Sequence, residues 1–292
     1  MSRAPDVAQD LAARLGDRPV LTAALATLMI AGMAASVVSV VLMWSRRPRL
    51  AALRARPWHE TDAAVLAALL AGLFLVAAAV VATLDRVLPG ILHSPHRDAW
   101  VMAAQSFAFH WPALGLAVYW LRSRRRSWTE AFGAPGRPLV SDLFLGAFFY
   151  LAIVCPAGLA GWAGRALLDR LGLDTAPQEI IRVLADPAAG AARWYLFFLS
   201  LVLAPVAEEI VFRGIALPAM TPRFGPGGAV LLTATLFAAV HGHAAAAAPI
   251  FVLGLGLAMA YLYSGSLAVP IVMHATFNGV SVALSHLLEL AD

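Results

Sequence analysis

The chain has 292 residues, of which 61% are hydrophobic and only 13% charged, with a net charge of +4. A soluble domain is nearer half apolar and a quarter charged, so a water-soluble globule is excluded. The arginines stand in short loops beside apolar runs, where positive charge sets orientation in a membrane, so the basicity does not indicate a nucleic-acid partner. The apolar residues come in blocks close to the ~20 residues that a helix needs to cross the hydrocarbon core. They predict an all-α polytopic membrane protein; a β-barrel would show short alternating segments. The one cysteine, Cys155, excludes an intrachain disulfide and a cysteine-based metal cluster, and packing is its expected role. Asp6, Asp10 and Asp17 interrupt the N-terminal stretch, which does not read as a cleavable signal peptide.

About eight spans are expected, at 20–44, 63–84, 99–121, 142–163, 194–216, 227–246, 249–264 and 267–289. The loop after the first carries Arg46, Arg47, Arg49, Arg54 and Arg56; the loop after the third carries Arg122, Arg124, Arg125 and Arg126. Both loops must lie on one side, and the positive-inside rule makes that side the cytoplasm. Both termini then face outward from a cytoplasmic membrane. Between spans four and five, Ile180, Ile181, Val183 and Leu184 alternate with Glu179, Arg182 and Asp186, which predicts a short interfacial helix. The stretch HAAAAAP, 243–249, is expected to be a helix end or turn, with Pro249 opening span seven.

Ionisable side chains concentrate late in the chain. Spans one to four carry almost none in their middles apart from His110, which beside Trp111 is expected to be a packing or interfacial residue. His59, His93, His96 and His286 fall in loops or near an end and are assigned no role. Spans five, six and eight carry Glu208, Glu209, Arg213, His241 and His274. Charge near the centre of a spanning helix costs roughly 2.5 kcal/mol or more per residue, so such residues are functional candidates by default.

Helical spacing sorts them. Glu209 and Arg213 are four residues apart and share a face, as an ion pair would require. Glu208 is turned about 100° from Glu209 and is free to face the bundle interior. His274 and Asn278 share a face in the same way. Ala275 with Gly279, and Gly254 with Ala258, are small pairs that let helices approach. His243 is expected only to cap a helix end. A carboxylate in an apolar pocket can act as a general base on water, one histidine can share the proton, and a second histidine with an amide can hold an oxyanion. No activated serine or cysteine motif is present. Depth strains this picture: by counting residues, Glu208 lies nearer the cytoplasmic end of span five and His241 nearer the outer end of span six, on the order of 10 Å apart.

At these residues the chain resembles the CPBP family of intramembrane proteases, the CAAX-protease and bacteriocin-processing (Abi, Rce1-like) group. The family pattern E-E-x-x-x-R, F-x-x-x-H, H-x-x-x-N corresponds to Glu208-Glu209-Ile210-Val211-Phe212-Arg213, Phe237 to His241, and His274 to Asn278. The resemblance covers roughly 190–285 and leaves spans one to four unmatched. The distribution of ionisable residues sets apart an N-terminal membrane region, 1–190, with four spans, from 191–292, which the resemblance implies is a catalytic core bundled from the last four spans. The resemblance implies an endopeptidase for a membrane-associated peptide or protein, with Glu208 and His241 activating water and His274 and Asn278 holding the oxyanion. Glu209, Arg213 and Phe237 would be structural or substrate-orienting. No cofactor is expected; the family has also been described as metalloproteases, and a zinc version would use Glu208, His241 and His274, although H-E-x-x-H is absent. The alternatives from other classes are a non-catalytic membrane partner and a carrier using Glu208 as a proton relay. A haem protein ranks lower, since His241 and His274 offer at most one axial pair.

Overall fold

The computed structural model describes residues 19–45, 53, 55–87, 97–133, 138–176 and 178–289. The expectations for Arg46, Arg47, Arg49, Arg54, His93, His96, the N-terminal tail and the His286 side chain lie outside the described residues. Among the described residues there are helices and no strand. They are α1 (Pro19–Ser45), α2 (Glu60–Val87), α3 (Arg97–Ser123), α4 (Trp128–Phe132), α5 (Leu139–Arg170), α6 (Glu179–Ala185), α7 (Gly190–Phe198), α8 (Ala204–Glu209), α9 (Leu217–Val240), α10 (Ala244–Ser264) and α11 (Ala268–Glu289). The all-α polytopic class follows directly: seven stretches are long and apolar enough to cross a membrane.

Seven, where about eight were expected, has one cause. Expected spans five and six belong to a single helical run, Gly190–Val240. That run is not straight. Gly225 departs from helical geometry, with φ 68° and ψ 168°, a region that only glycine adopts without strain. On the two sides of it, the rings of Phe212 and Phe237 meet at 5.2 Å. Along a straight helix those residues would stand roughly 37 Å apart. The chain therefore folds back at Gly225 into two antiparallel arms. The turn lies beside the start of α2, where Arg223 pairs with Glu60 at 3.5 Å. The first arm continues as helix to Phe224 rather than ending near 216, which corrects the expected boundary.

Two short π-helical stretches, Leu199–Leu203 and Ile210–Ala216, bracket α8. Pro205, at the start of α8, has no N–H to give and crowds the preceding turn, and the helix responds by widening. The Ala204 N–H reaches the Leu199 carbonyl, five residues back. The glutamate pair thus stands on a rigid turn between two local unwindings.

The remaining elements build a frame around these arms. Helix α5 packs against α1, α10 and α11. A Cβ on Gly146 would come within 2.6 Å of Val272, so α5 and α11 are close enough to require glycine there. Cys155 packs against α1, as expected, with its thiol toward the Met29 carbonyl at 3.3 Å. Helix α10 begins at Ala244, not at Pro249: alanine is the best helix former, and its run supplies the first turns. The expected short helix is present as α6, which buries Val183 and Leu184 against Ala99 and Ala103 of α3 and Ala192 and Leu196 of α7.

The two basic loops meet. Arg124 of the second pairs with Asp62 of α2, and the Trp58 indole donates to the Ala131 carbonyl at 3.2 Å. The side chains following the first and third spans therefore share one end of the bundle, as the charge pattern requires.

Candidate active site

The sequence-predicted catalytic residues and Glu209 come from the ends and middles of three helical segments. Glu208 and Glu209 come from α8, His241 from the end of α9, His274 and Asn278 from α11. The hairpin at Gly225 removes the expected depth mismatch. Phe212 stands opposite Phe237, so a further helical turn along each arm sets Glu208 opposite His241, both roughly 25 Å from the turn. The residue count failed because it ended the first arm too early.

Glu209 and Arg213 form the ion pair that their spacing predicts, with Nη1 donating to Oε1 at 2.8 Å and side chains 0% and 1% exposed. Arg213 Nη2 also donates to the Gly254 carbonyl at 3.0 Å. Gly254 is needed there for a second reason, since a Cβ would stand 3.2 Å from the Ala234 backbone. The guanidinium lies over the Phe237 ring at 4.4 Å. A charge so enclosed is tolerated because it is paired, although Arg213 Nε and Glu209 Oε2 make no hydrogen bond.

His274 joins the two acids. Its Nδ1 donates to Glu209 Oε1 at 2.9 Å, and its Nε2 faces Glu208 Oε2 at 3.9 Å. The neighbouring carboxylates, a helical step apart, thus reach opposite edges of one imidazole. Glu209 does more than the ion pair assigned to it from sequence: it also fixes the tautomer and angle of His274.

His241 is the residue that ends α9. Its Nδ1 donates to the Phe237 carbonyl at 2.7 Å, one of the carbonyls that a helix end leaves without a partner. The ring therefore does cap the helix, and that same bond leaves Nε2 as its free acceptor. Phe237 stands between the two histidines, edge-on to His241 at 4.9 Å and to His274 at 5.6 Å. No direct hydrogen bond joins Glu208 to His241, but the carboxylate is within electrostatic reach of His241, His274 and His110. Asn278 donates from Nδ2 to the Ser200 carbonyl at 2.9 Å, which fastens α11 to the first π stretch. Gly279 packs beside it, where a Cβ would meet Leu201 at 3.2 Å.

Residues 190–280 match the family described as type II CAAX prenyl endopeptidase Rce1-like. The likeness to that family thus falls on the stretch that holds Glu208, Glu209, Arg213, His241, His274 and Asn278. The chain is 35% identical over 105 residues to CAAX prenyl protease 2 of Homo sapiens, covering 36% of this chain and 27% of that protein. It is 31% identical over 153 residues to CAAX prenyl protease 2 of Rattus norvegicus, covering 51% of this chain and 44% of that protein. The chain thus spans less than half the length of the curated relatives it matches. No solved structure matches it.

One side chain in this Rce1-like site was not foreseen as part of it. His110 of α3, expected to be a packing or interfacial residue, is 7% exposed and places Nε2 3.2 Å from Glu208 Oε1. A signal existed: His110 is the ionisable residue in the middle of span three, midway between the ends of α3. Its neighbour Trp111, which suggested a packing or interfacial place, hid it. Ser200 was also missed, and Gly254 was named only for close packing; their part in the site could not be read from the sequence because both contribute backbone carbonyls. His243, expected to cap, makes no cap hydrogen bond.

The donor arrangement also bears on zinc. Among the described residues, no three histidine, cysteine, aspartate or glutamate side chains are grouped to hold a metal ion. Nε2 of His110 stands 3.2 Å and Nε2 of His274 3.9 Å from the oxygens of Glu208.

Proposed function

We propose that this protein is an intramembrane endopeptidase that hydrolyses a peptide bond in a membrane-associated substrate. The observation that carries this reading is the state of Glu208. Its Oε2 is buried with no hydrogen-bond partner, while its other oxygen is held and imidazole rings surround it. An unpartnered carboxylate oxygen in an apolar pocket is costly to keep, and a general base for water is what it is suited to.

In this mechanism a water molecule between Glu208 and His241 gives a proton to Glu208 Oε2 as its oxygen attacks the carbonyl carbon. His241 accepts the second water hydrogen at Nε2, the atom its capping bond leaves free. The tetrahedral oxyanion takes hydrogen bonds from His274 Nε2 and from the second N–H of Asn278. For this His274 enters the cycle as an imidazolium, donating from both nitrogens and keeping both protons throughout, and Glu209 against Nδ1 stabilises that charge. The carbon–nitrogen bond then breaks, and the leaving amine takes the proton from Glu208. Glu209, Arg213 and Phe237 hold the frame.

The names of the human and rat relatives suggest a first substrate class: a prenylated C-terminal peptide whose lipid keeps it in the bilayer. The test is purified full-length protein in liposomes with a fluorogenic farnesylated CAAX-type peptide, alongside proteomics of membrane peptides from wild-type and Glu208→Ala cells. Cleavage that is lost in Glu208→Ala and survives treatment with chelators supports the reading. Undiminished hydrolysis by Glu208→Ala sinks it, and loss on chelation restored by zinc transfers it to a metalloprotease.

A further inference from the structure

We infer that His110 is a positioning residue for Glu208: it locks one carboxylate oxygen so that only the other can meet water. This rests on the peptidase reading above and extends the site to α3, in the N-terminal region that no motif covers. The argument is one of proton positions. His110 Nδ1 is 2.8 Å from the Ser106 carbonyl, and a carbonyl only accepts, so Nδ1 carries a hydrogen. Its Nε2 is 3.2 Å from Glu208 Oε1. A lone pair on that nitrogen against a lone pair on that oxygen would repel, so a proton lies between them.

The consequence is directional. Rotation of the Glu208 carboxylate is stopped at Oε1, and Oε2 is aimed toward His274 Nε2, 3.9 Å away, without a hydrogen bond of its own. His110 is itself held at three points. Ser106 fixes one nitrogen, Glu208 the other, and the Phe109 ring stands edge-on at 5.0 Å. Helix α3 also packs against α8, which carries the glutamate. A ring so constrained transmits position with little slack. Within α8 Glu209 does not do this, because both of its bonds, to Arg213 and His274, are made by Oε1 and its Oε2 makes none.

The test uses the full chain in liposomes with the fluorogenic farnesylated peptide, comparing wild type, His110→Ala and His110→Gln. Loss of the lock lets the base swing, and a misplacement of about 1 Å costs on the order of a hundredfold in rate. His110→Ala is therefore expected to lower kcat by about that factor with KM unchanged. His110→Gln, whose amide N–H can reach Oε1, is expected to recover most of it. A second readout does not need turnover: the infrared carboxylate band that disappears in Glu208→Gln should shift in His110→Ala and return toward its original position in His110→Gln. Wild-type kcat and an unmoved band in His110→Ala would overturn the assignment, as would a loss that glutamine does not repair and that follows a lowered melting temperature. A wild-type protein that leaves the peptide intact, yet shows the band shift, would instead count against the peptidase reading while keeping the His110–Glu208 lock.

Discussion

Glu208 and Glu209 are neighbours in sequence that reach opposite edges of the same ring. Their division of labour comes from what else each touches. Glu209 has Arg213 and His274 on one oxygen; Glu208 has His110 on one oxygen and His274 Nε2 3.9 Å from the other, and the second oxygen of each carboxylate makes no hydrogen bond. Glu208→Gln keeps the shape and hydrogen-bonding size but removes the base, so peptide hydrolysis should vanish while membrane insertion persists, as read by cleavage assay and membrane fractionation. His274→Ala and Asn278→Ala remove the proposed oxyanion donors, and each should cut kcat by on the order of a hundredfold. Asn278→Ala also frees the Ser200 carbonyl, so it should show a lower melting temperature than Glu208→Gln. The i, i+4 spacings of Glu209 with Arg213 and His274 with Asn278 were legible in the sequence. The third partner of each side chain was not, since His274, Gly254 and Ser200 lie on other segments.

At the scale of elements, the buried ion pair and the Gly225 hairpin decide whether the site exists. Removing one member of a buried pair leaves an uncompensated charge, which costs roughly 3–5 kcal/mol. Glu209→Ala should therefore lower the thermal midpoint in detergent sharply, and Arg213→Ala should do likewise. Gly225 offers a cleaner case. A Cβ there would meet nothing within 4 Å, so any penalty is backbone strain, of order 1–3 kcal/mol at this φ and ψ. Gly225→Val should lose about that much stability and move His241 relative to Glu208. Gly115→Val, at a helical glycine that is equally open, should change the melting temperature little by comparison. The stretch FGPGG, 224–228, announced a turn; that one residue makes it, with helix on both sides, was not legible, because helix ends depend on packing that periodicity does not encode.

For the whole molecule, the orientation argument is the one to test. The contacts between the basic loops put Arg126 and the start of α2 at one end. Helix α5 runs from near that end to the other, where Asp174 is exposed. In a Cys155→Ala background, Arg126→Cys should react with a membrane-impermeant thiol reagent only from the cytoplasmic side, and Asp174→Cys only from outside. The reverse pattern would invert the topology without disturbing the site. The contact of His110 with Glu208 shows that the first four spans are more than a lipid-facing shell, since one of them reaches the proposed base.

The sequence alone determined the solvent of this protein, its helical spans, which spans carry charge, and which charged residues share a helical face. Each of these is a local property, set by hydropathy and by 3.6 residues per turn. Tertiary structure decided the rest: that the two arms fold at Gly225 and bring Glu208 level with His241, that His274 lies between two carboxylates, that His110 holds one oxygen of Glu208 and leaves the other without a hydrogen bond. Those facts depend on where helices end and how they pack, and a hydrogen bond between residues a hundred positions apart leaves no trace in the spacing of either.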